Sequence, residues 1–435
     1  MSRLKTFETV LIALPSATGA EMTSALKHCQ DAGVCFKTVP GLTEIIEGKA
    51  LASQIRDVAV EDLLGRTPVR LEQHRISEKL TGATVLVTGA AGSIGSELCR
   101  QIAQFNPIAI VGFDVAETPL FYLEGEMRQS FPKVAFYPEI GSVQNRQRLA
   151  EIADRHRPSI LYHAAAYKHV PMMESHVFEA VENNVFGTWN VALAAAKQGI
   201  QDFVLISSDK AVRPTNIMGA TKRVAELLIL ALQNGGTRFV SVRFGNVLGS
   251  NGSVIPIFKQ QIAAGGPVTV THPEMRRYFM TIPEASQLVL QASTMGLGGE
   301  TFVLEMGAPV KIVDLARNLI LLSGLRPDED IKIEFTGLRP GEKLYEEINS
   351  MDEDTIPTSC EKIKTFIGTG LPSCDMGTYL EALRNCCEQR DVPGLVLTLK
   401  ELIPDYNPSA QLLRRAVRAS QTAVMAAPRV TAAAR

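Results

Sequence analysis

The 435-residue sequence lacks features that would indicate a metal site, a membrane span or a nucleic-acid surface. Its seven cysteines form no Cys-x-x-Cys pair, and their odd number favours reduced thiols and no metal. No apolar run reaches the roughly 18 residues that span a bilayer, and no signal peptide is recognised at the start. The formal net charge is −2 with mixed signs, so no nucleic-acid partner is predicted. Together these absences favour a cytoplasmic protein.

The length allows two or three domains, and residues 1–76 are predicted to form a partial α/β module with a linker. Residues 9–14 and 34–39 have the composition of strands, and residues 19–32 fit a helix between them. One such unit leaves apolar faces uncovered, so we expect it to dock on the main domain. The mixed, polar stretch 57–81 is predicted to be a connector.

A glycine-rich turn between a strand and a helix predicts a dinucleotide site. Residues 84–88 have the composition of a buried strand, and a helical pattern follows the turn through Phe105. The spacing Gly-x-x-Gly-x-x-Gly permits a tight turn and lets a pyrophosphate approach the helix N-terminus. The predicted cofactor-binding residues of this turn are Gly89, Gly92, Ser93, Ile94 and Gly95.

Other residues extend the predicted cofactor site. A second strand, 108–113, ends in Asp114, whose carboxylate can accept from a ribose 2′-hydroxyl and would repel a 2′-phosphate. NAD is therefore favoured over NADP, although Asp at a strand end also serves as a helix cap. Ala164 and Ala165 are small enough for the nicotinamide ribose to lie against the backbone. Asn184 shares a helical run with a glycine, which indicates a packing or binding reason.

The polar stretch 207–222 follows an apolar strand, 203–206, and leads into a helix. Ligands bind at the carboxyl ends of strands in open α/β sheets, so this stretch is predicted to be the reaction centre. Strands and helices alternate along the chain. The predicted fold is therefore α/β, a doubly wound parallel sheet of six or seven strands with helices on both faces.

The turn at 88–95, His-Ala-Ala-Ala at 163–166, Asn184 with Gly187 and Thr188, and Lys222 resemble the extended short-chain dehydrogenase/reductase superfamily. Four more specific strings narrow the resemblance to the CapD-like nucleotide-sugar 4,6-dehydratases of bacterial polysaccharide biosynthesis. The strings are Ala-Tyr-Lys-His-Val-Pro at 166–171, Ser-Asp-Lys-Ala-Val at 208–212, Arg-Phe-Gly-Asn-Val at 243–247 and Gly-Leu-Arg-Pro-Gly-Glu-Lys at 337–343. The resemblance implies a Rossmann-type, NAD-binding dehydratase domain over residues 77–370, with a substrate lobe over about 245–370.

Long members of this group carry transmembrane helices and a fuller α/β domain ahead of the dehydratase domain. This sequence contains no membrane segment, so the resemblance implies a truncated or naturally short form. The inner face of the membrane is an alternative to a free cytoplasmic location.

The resemblance implies that a UDP-N-acetylhexosamine, with UDP-N-acetylglucosamine favoured, is converted to its 4-keto-6-deoxy derivative. Hydride leaves C4 for the nicotinamide, water is eliminated across C5 and C6, and hydride returns to C6. On this pattern Asp209 protonates the leaving C6 hydroxyl, Lys210 removes the C5 proton and Ser208 hydrogen-bonds the C4 oxygen. Lys210 must be neutral to act, so we expect burial or the cation of Lys222 to lower its pKa.

Met218 departs from the superfamily pattern, which has tyrosine four residues before the lysine at 222. A thioether cannot take the C4 hydroxyl proton. Three routes remain for that proton: an ordered water, Asp209, or a chain formed by Lys222 and a ribose hydroxyl of the cofactor. Lys222 is also a predicted cofactor contact. The resemblance associates this methionine with C5-retaining members. Two alternatives remain: a nucleotide-sugar 4-epimerase, and a non-catalytic NAD- or nucleotide-sugar-binding module.

The resemblance also implies a nucleotide-sugar pocket beside the reaction centre. The predicted substrate-binding residues are Lys168, His169, Asn246, Ser253, Arg277, Arg339 and Glu342. Arg339 fits a bidentate phosphate contact, with Glu342 towards the ribose or uracil. A solvated surface position is the alternative for Arg277 and Arg339, and a structural role is the alternative for His169.

Residues 371–410 are predicted to form C-terminal helices. The Ala- and Arg-rich residues 411–435 have little capacity to form a core, so a frayed helix or flexible tail is predicted there. By analogy with the superfamily, we expect a homo-oligomer, a dimer or higher, formed through the helices near residues 218–232.

Overall fold

The computed structural model describes residues 7, 9–14, 19–39, 58, 61–62, 69, 71–233, 236–347, 355–367 and 375–426. The strands of this part of the chain are β1 (Thr9–Ile12), β2 (Cys35–Thr38), β3 (Thr84–Thr88), β4 (Ala109–Asp114), β5 (Ala135–Ile140), β6 (Ile160–His163), β7 (Asp202–Ile206), β8 (Arg238–Arg243), β9 (Asn246–Val247), β10 (Val268–Val270), β11 (Arg276–Arg277), β12 (Phe279–Met280), β13 (Thr301–Leu304), β14 (Val310–Lys311), β15 (Ile333–Phe335), β16 (Thr355–Pro357) and β17 (Ile363–Phe366).

The α-helices are α1 (Gly19–Asp31), α2 (Gln73–Leu80), α3 (Ser93–Ala103), α4 (Glu117–Ser130), α5 (Arg146–His156), α6 (Val170–Ser175), α7 (Val177–Ala180), α8 (Gly187–Gln198), α9 (Ile217–Ala231), α10 (Val254–Ala263), α11 (Ile282–Met295), α12 (Ile312–Leu322), α13 (Met376–Gln389), α14 (Val392–Leu402) and α15 (Ala410–Ala426). A π-helix, Val181–Phe186, joins α7 to α8, and a 3-10 turn, Asp209–Ala211, follows β7. No helix in the described residues is both long enough and apolar enough to cross a membrane.

The central sheet has nine strands in the order β16-β17-β13-β8-β7-β6-β3-β4-β5. The seven strands from β13 to β5 are parallel, and β17 and β16 complete one edge antiparallel. Val85 and Val87 pack into one apolar cluster, whereas Leu86 packs into another, so helices cover both faces. The predicted doubly wound parallel sheet is confirmed. The sequence reasoning did not name β5 or the antiparallel pair.

The strand order reverses at β3. Strands β4 and β5 extend the sheet from one edge of β3, and β6, β7 and β8 extend it from the other edge. The loops that follow β3 and β6 therefore border a crevice at the carboxyl edge of the sheet. In open α/β sheets this reversal point is where ligands bind.

The N-terminal module has the predicted β-α-β order, with β1 and β2 paired in parallel. Leu26 of α1 packs with Ile12, and Leu322 of α12 packs against this small cluster, so the module docks on the substrate lobe. The predicted boundary at residue 76 falls within α2, and Ile76, on the module side of that boundary, is buried in the main core together with Leu80. Most of the rest of the predicted connector lies outside the described residues.

The predicted substrate lobe is not one continuous segment. Helices α10 and α12 share a separate apolar cluster with β10, as expected for a small lobe. Within the predicted range 245–370, however, α11, β13 and β17 pack into the main core and its sheet. The apolar positions of α11, such as Leu288 and Val289, are fully buried there. The chain thus leaves the lobe and returns to it.

The C-terminal helices α13 and α14 lie in the predicted range, but the helical region continues further. In α15, Leu412 is 1% exposed and Ala416 is 9% exposed, one helical turn apart on the face that packs inward. A helix, one of the two alternatives predicted for this range, is therefore present over residues 411–426. Residues 427–435 lie outside the described part of the chain.

The same C-terminal helices cover α9. Met218, Leu227 and Leu228 of α9 share one buried cluster with Leu383 and Leu399. A dimer through this face was predicted from the superfamily. In this chain the face is already buried against the chain's own helices, so that interface prediction is wrong for this structure.

Candidate functional site

The glycine-rich turn packs tightly against the loop after β6. Gly89 has a φ of +70°, and a Cβ on it would lie 2.5 Å from the Ala165 nitrogen. A Cβ on Gly95 would collide with the Gly89 carbonyl. Gly92 is the N-cap of α3 and supplies no side-chain cap, which leaves the first N–H groups of the helix without a side-chain acceptor. The turn therefore presents backbone donors at the crevice, as a phosphate-binding turn does.

Asp114 lies at the end of β4 and fixes this turn. Its Oδ2 accepts from the Ala91 N–H at 2.9 Å, and its Oδ1 accepts from the Ala116 N–H at 2.9 Å. Asp114 is not the N-cap of α4, which is Ala116, but its carboxylate has a structural role in holding the turn. Each carboxylate oxygen keeps a second lone pair, so a ribose contact stays a prediction.

Asn184 lies in the π-helix and holds the segment after β6 in place. Its Oδ1 accepts from the Tyr167 N–H at 2.8 Å, while its Nδ2 donates to the Tyr167 carbonyl at 3.0 Å and to Thr221 Oγ1 at 3.1 Å. A Cβ on Gly187 would lie 2.7 Å from Val143 Cγ2, which explains the glycine. The expected packing reason for this Asn and Gly is therefore present, and the predicted cofactor contact of Asn184 is not tested by it.

A buried polar chain, missed by the sequence reasoning, runs beneath the crevice. Thr188 Oγ1 donates to the Asn184 carbonyl at 2.7 Å, so its oxygen accepts from His163 Nε2 at 2.9 Å. His163 Nδ1 then accepts from Thr88 Oγ1 at 2.6 Å. Burial, together with the charge of Lys222, lowers the pKa of His163 to about 3, so the ring is neutral and carries its proton on Nε2.

Ser208, Asp209 and Lys210 form a compact set at the end of β7. Lys210 Nζ lies 2.9 Å from Asp209 Oδ1, and Ser208 Oγ donates to the same oxygen at 2.8 Å. The Asp209 side chain is 0% exposed, and its Oδ2 has no hydrogen-bond partner in the described chain. A buried acceptor without a partner is costly. This oxygen is therefore suited to a proton or to a ligand hydroxyl.

Lys210 lies between two carboxylates. Besides Asp209, Glu346 Oε1 lies 3.8 Å from Lys210 Nζ, and the Asn246 amide oxygen accepts from Lys210 at 3.4 Å. Burial lowers the pKa of Lys210, but the charges of Asp209 and Glu346 outweigh burial and raise it above its usual value. The predicted lowering of the Lys210 pKa is therefore wrong. The cation that acts on Lys210 is Arg277, not Lys222.

Lys222 has a different environment. It is 7% exposed, and its Nζ donates to the Ile206 carbonyl at the end of β7. Burial lowers the pKa of Lys222 to about 8, although the Glu226 charge acts in the opposite direction. Met218 lies one turn earlier on α9, is 3% exposed and packs in the apolar cluster of the C-terminal helices. No hydroxyl occupies position 218, as the sequence shows.

A buried ion pair, also missed from the sequence, fixes α9 to the sheet. Arg243 at the end of β8 is 2% exposed and donates to both oxygens of Glu226, at 2.7 and 2.6 Å. Ser207 Oγ donates to Glu226 at 2.6 Å. The charge of Arg243 overcomes the effect of burial and lowers the pKa of Glu226 to about 2. The pair sets the distance between α9, which carries Lys222, and the strand ends.

Several predicted substrate residues lie where the segments after β6 and β9 meet. A Cβ on Gly252 would lie 2.8 Å from His169 Cε1, so the loop after β9 contacts the segment after β6. Burial, with the charges of Lys168 and Arg339, lowers the pKa of His169. Ser253 Oγ, at the N-terminus of α10, is buried without a partner in the described residues.

Other predicted substrate residues bind within the protein. Arg339 Nη2 donates to Glu342 Oε1 at 2.6 Å, so these two side chains pair with each other. Arg277 is 8% exposed, and its guanidinium donates to the Lys343 carbonyl at 2.8 Å and to the Leu344 carbonyl at 3.2 Å. Arg277 thus holds the 343–346 segment in place, and its predicted nucleotide contact stays a prediction.

The family described as polysaccharide biosynthesis protein matches residues 85–367. The chain belongs to this family. Its relatives include the capsular polysaccharide biosynthesis protein CapD of Staphylococcus aureus, 52% identical over 347 residues, and the probable polysaccharide biosynthesis protein EpsC of Bacillus subtilis, 55% identical over 346 residues. Each alignment covers 79% of this chain, and the chain spans 58% of the length of each of these two relatives.

The chain is also similar to a UDP-glucose 4-epimerase of Rickettsia canadensis, with 36% identity over 280 residues. The alignment covers 62% of this chain and 78% of the epimerase. Among solved structures, Pen from Bacillus thuringiensis is 37% identical with a TM-score of 0.61, over 66% of this chain and 90% of Pen. The dTDP-glucose 4,6-dehydratase DesIV from Streptomyces venezuelae shares the fold, at 19% identity and a TM-score of 0.55, over 71% of this chain and 98% of DesIV. The predicted CapD-like, extended short-chain dehydrogenase/reductase assignment is confirmed.

Proposed function

We propose that the chain is an NAD-dependent, C5-retaining UDP-N-acetylglucosamine 4,6-dehydratase of surface polysaccharide synthesis. The observation that carries this proposal is the buried pair of Asp209 and Lys210, 2.9 Å apart, with Asp209 Oδ2 unpaired in the described chain. Elimination of water from a sugar needs one group that takes a proton and one that gives a proton. This pair can supply both.

The proton can move within the pair. Transfer from the Lys210 ammonium to Asp209 gives a neutral amine and a carboxylic acid. The amine takes the C5 proton while the acid gives its proton to the C6 hydroxyl, which leaves as water. The pair returns to an ammonium and a carboxylate, so charges and protons balance. The raised pKa of Lys210 is compatible with this route, because no proton has to be lost to solvent.

The residues of the crevice fit a dinucleotide. Gly89 and Gly95 have no room for a Cβ, α3 begins at an uncapped glycine, and the Asp114 carboxylate lies at the end of β4. We assign the turn 89–95, Asp114, Ala164, Ala165 and Lys222 to cofactor binding, with NAD favoured over NADP because Asp114 is anionic. A nicotinamide bound there would accept hydride from the sugar and later return it.

The C4 hydroxyl proton needs an acceptor other than Met218. A lysine with a pKa of about 8 can exchange a proton near neutral pH, so we assign this role to Lys222 acting with a ribose hydroxyl. Lys168, Arg339 and the unpaired Ser253 hydroxyl would face the diphosphate of a UDP-sugar, since cations and hydroxyl donors suit phosphate oxygens. A cytoplasmic location and a homo-oligomer remain part of the proposal.

The second candidate is a nucleotide-sugar 4-epimerase, which the Rickettsia relative favours. One experiment separates the candidates: incubate the protein with UDP-N-acetylglucosamine in deuterated water and follow the sugar by NMR. A 4-keto-6-deoxy product with deuterium at C5 and unchanged C5 configuration supports the dehydratase. A UDP-N-acetylgalactosamine product supports the epimerase, and bound NAD without turnover supports a non-catalytic module.

A further inference from the structure

Glu346 is a buried carboxylate of the substrate lobe that contacts the reaction centre. It is 7% exposed, and its Oε1 lies 3.8 Å from Lys210 Nζ. The same oxygen lies 3.7 Å from Arg277 Nε. Two carboxylates, Asp209 and Glu346, and two cations, Lys210 and Arg277, therefore form one buried cluster with a formal net charge of zero.

The position of Glu346 is fixed by the backbone around it. Arg277 donates to the Lys343 and Leu344 carbonyls, and the Arg276 N–H donates to the Leu344 carbonyl at 3.2 Å. Lys343 Nζ donates at 3.2 Å to the Val212 carbonyl, just after the turn that carries Lys210. The segment 343–346 is thus anchored both to β11 and to the reaction centre.

Glu346 is not satisfied by these contacts. Its Oε2 is buried and has no hydrogen-bond partner among the described residues, like Oδ2 of Asp209. A purely structural carboxylate in this setting would be expected to use both oxygens, because an unpaired buried acceptor costs stability. Two carboxylates, each with one orphaned oxygen, therefore flank one ammonium through their other oxygens, which points to a group whose proton and position matter.

We propose that Glu346, held by Arg277, is a positioning residue that fixes the Lys210 ammonium and sets the pH at which it loses its proton. This inference rests on the proposed function, in which Lys210 and Asp209 share one proton. The groups that face Lys210 are Asp209 from its own turn, Asn246 from β9, and Glu346 with Arg277 from the lobe. The lobe therefore completes the reaction centre from the substrate side.

The first test needs no substrate. The Lys210 amine is titrated by competitive acetylation with acetic anhydride from pH 6 to 12, and the peptide that contains Lys210 is quantified by mass spectrometry. Glu346→Gln removes the charge and keeps the shape, so Lys210 should titrate at lower pH than in the wild type. Glu347→Gln is the matched control, because the neighbouring Glu347 pairs with Lys343 and Arg213 instead. Glu346→Asp keeps the charge and should restore much of the wild-type titration.

The second test is the pH profile of turnover with UDP-N-acetylglucosamine. In Glu346→Gln, kcat should fall about tenfold or more, with the alkaline limb moved to lower pH and KM changed less than kcat. Equal titration of Lys210 in the wild type, Glu346→Gln and Glu347→Gln would overturn the inference, as would equal shifts in both variants. A shifted titration in a protein without turnover would overturn the proposed function and leave the inference standing.

Discussion

Two lysines lie at the carboxyl edge of the same sheet, and both are largely removed from solvent. Lys210, after β7, contacts Asp209 and faces Glu346 across 3.8 Å. Lys222, on α9, donates to a backbone carbonyl. The acids raise the pKa of Lys210 against the effect of burial, whereas burial lowers the pKa of Lys222 to about 8.

The difference shows that burial alone does not determine the charge of a lysine. Desolvation acts on both side chains in the same direction, and the carboxylates within about 4 Å decide the outcome at Lys210. In the proposed reaction the two lysines therefore have different duties. Lys210 shares its proton with Asp209 inside the site, and Lys222 can exchange a proton with the cofactor ribose and solvent near pH 8.

The largest expected effect is the loss of elimination in Lys210→Ala. Without the amine, the C5 proton has no acceptor beside Asp209, and kcat should fall about 10²- to 10⁴-fold. The measurement is the rate of deuterium incorporation at C5 of UDP-N-acetylglucosamine. Lys311→Ala, which removes a lysine that pairs with Glu274 and does not contact this cluster, is the control for loss of a cation. Full activity of Lys210→Ala would remove this lysine from the chemistry.

The second largest expected effect is a loss of stability when the Glu226 carboxylate, which also acts on the pKa of Lys222, is replaced. Glu226→Gln leaves Arg243 buried without a counter-charge, so the free energy of unfolding should fall by about 3–5 kcal/mol. Urea denaturation measures it, with Ser207→Ala as a milder control that removes one hydrogen bond at the same site.

The ion pair of Glu226 and Arg243 should also make the free energy of unfolding depend on pH. Glu226 has a folded pKa of about 2, below its unfolded value of about 4.3, so its contribution is present above the unfolded value and is lost as pH falls towards 2. Glu226→Gln should lack that part of the acid dependence. An unchanged acid transition would show that Glu226 is not charged in the folded protein.

A third prediction compares the two lysines directly. Lys222 has a folded pKa of about 8, below its unfolded value of about 10.4, so the unfolded chain binds more protons between these pH values and stability rises with pH. Lys222→Met removes this dependence and should stabilise the protein at pH 7 by about 3 kcal/mol, while turnover is lost.

Lys210→Met is the matched variant. It leaves two buried carboxylates without their shared ammonium, so it should destabilise the protein rather than stabilise it. Both variants are measured by urea denaturation from pH 7 to 10. Equal stability changes in the two variants would mean that the two environments do not differ as described.

The sequence allowed prediction of the parts that depend on local pattern. The strand before Gly89, the turn itself and the apolar strand before Ser207 follow from composition and spacing, and the parallel sheet follows from their alternation. The packing of the amphipathic helix α15 onto the domain was not predicted, because its few apolar residues are separated by Arg and Ala. Its burial depends on a surface that only the folded domain provides.

The electrostatics of the site could not be predicted from the sequence. Glu346 lies 136 positions after Lys210 in the chain, and only the folding of the lobe brings them together. The sequence-based prediction that the pKa of Lys210 falls followed from its proposed role as a neutral base, and it did not include the charge of Glu346. Arg243 and Glu226 pair across two elements in the same way. Long-range contacts between charges have no local signature.

The smallest expected effect is that of Met218→Leu, which tests whether the environment of Lys222 depends on the thioether. Met218 is 3% exposed in an apolar cluster, and leucine has similar volume, so the free energy of unfolding should change by less than about 1.5 kcal/mol. The pKa of Lys222 is set by burial and by the charge of Glu226, and Met218→Leu changes neither. Lys222 should therefore still titrate near pH 8 in this variant. Competitive acetylation of Lys222 measures the titration. A shift comparable to that of Glu226→Gln would mean that the sulfur helps to set the charge of Lys222, and that the residue in place of the tyrosine is more than packing.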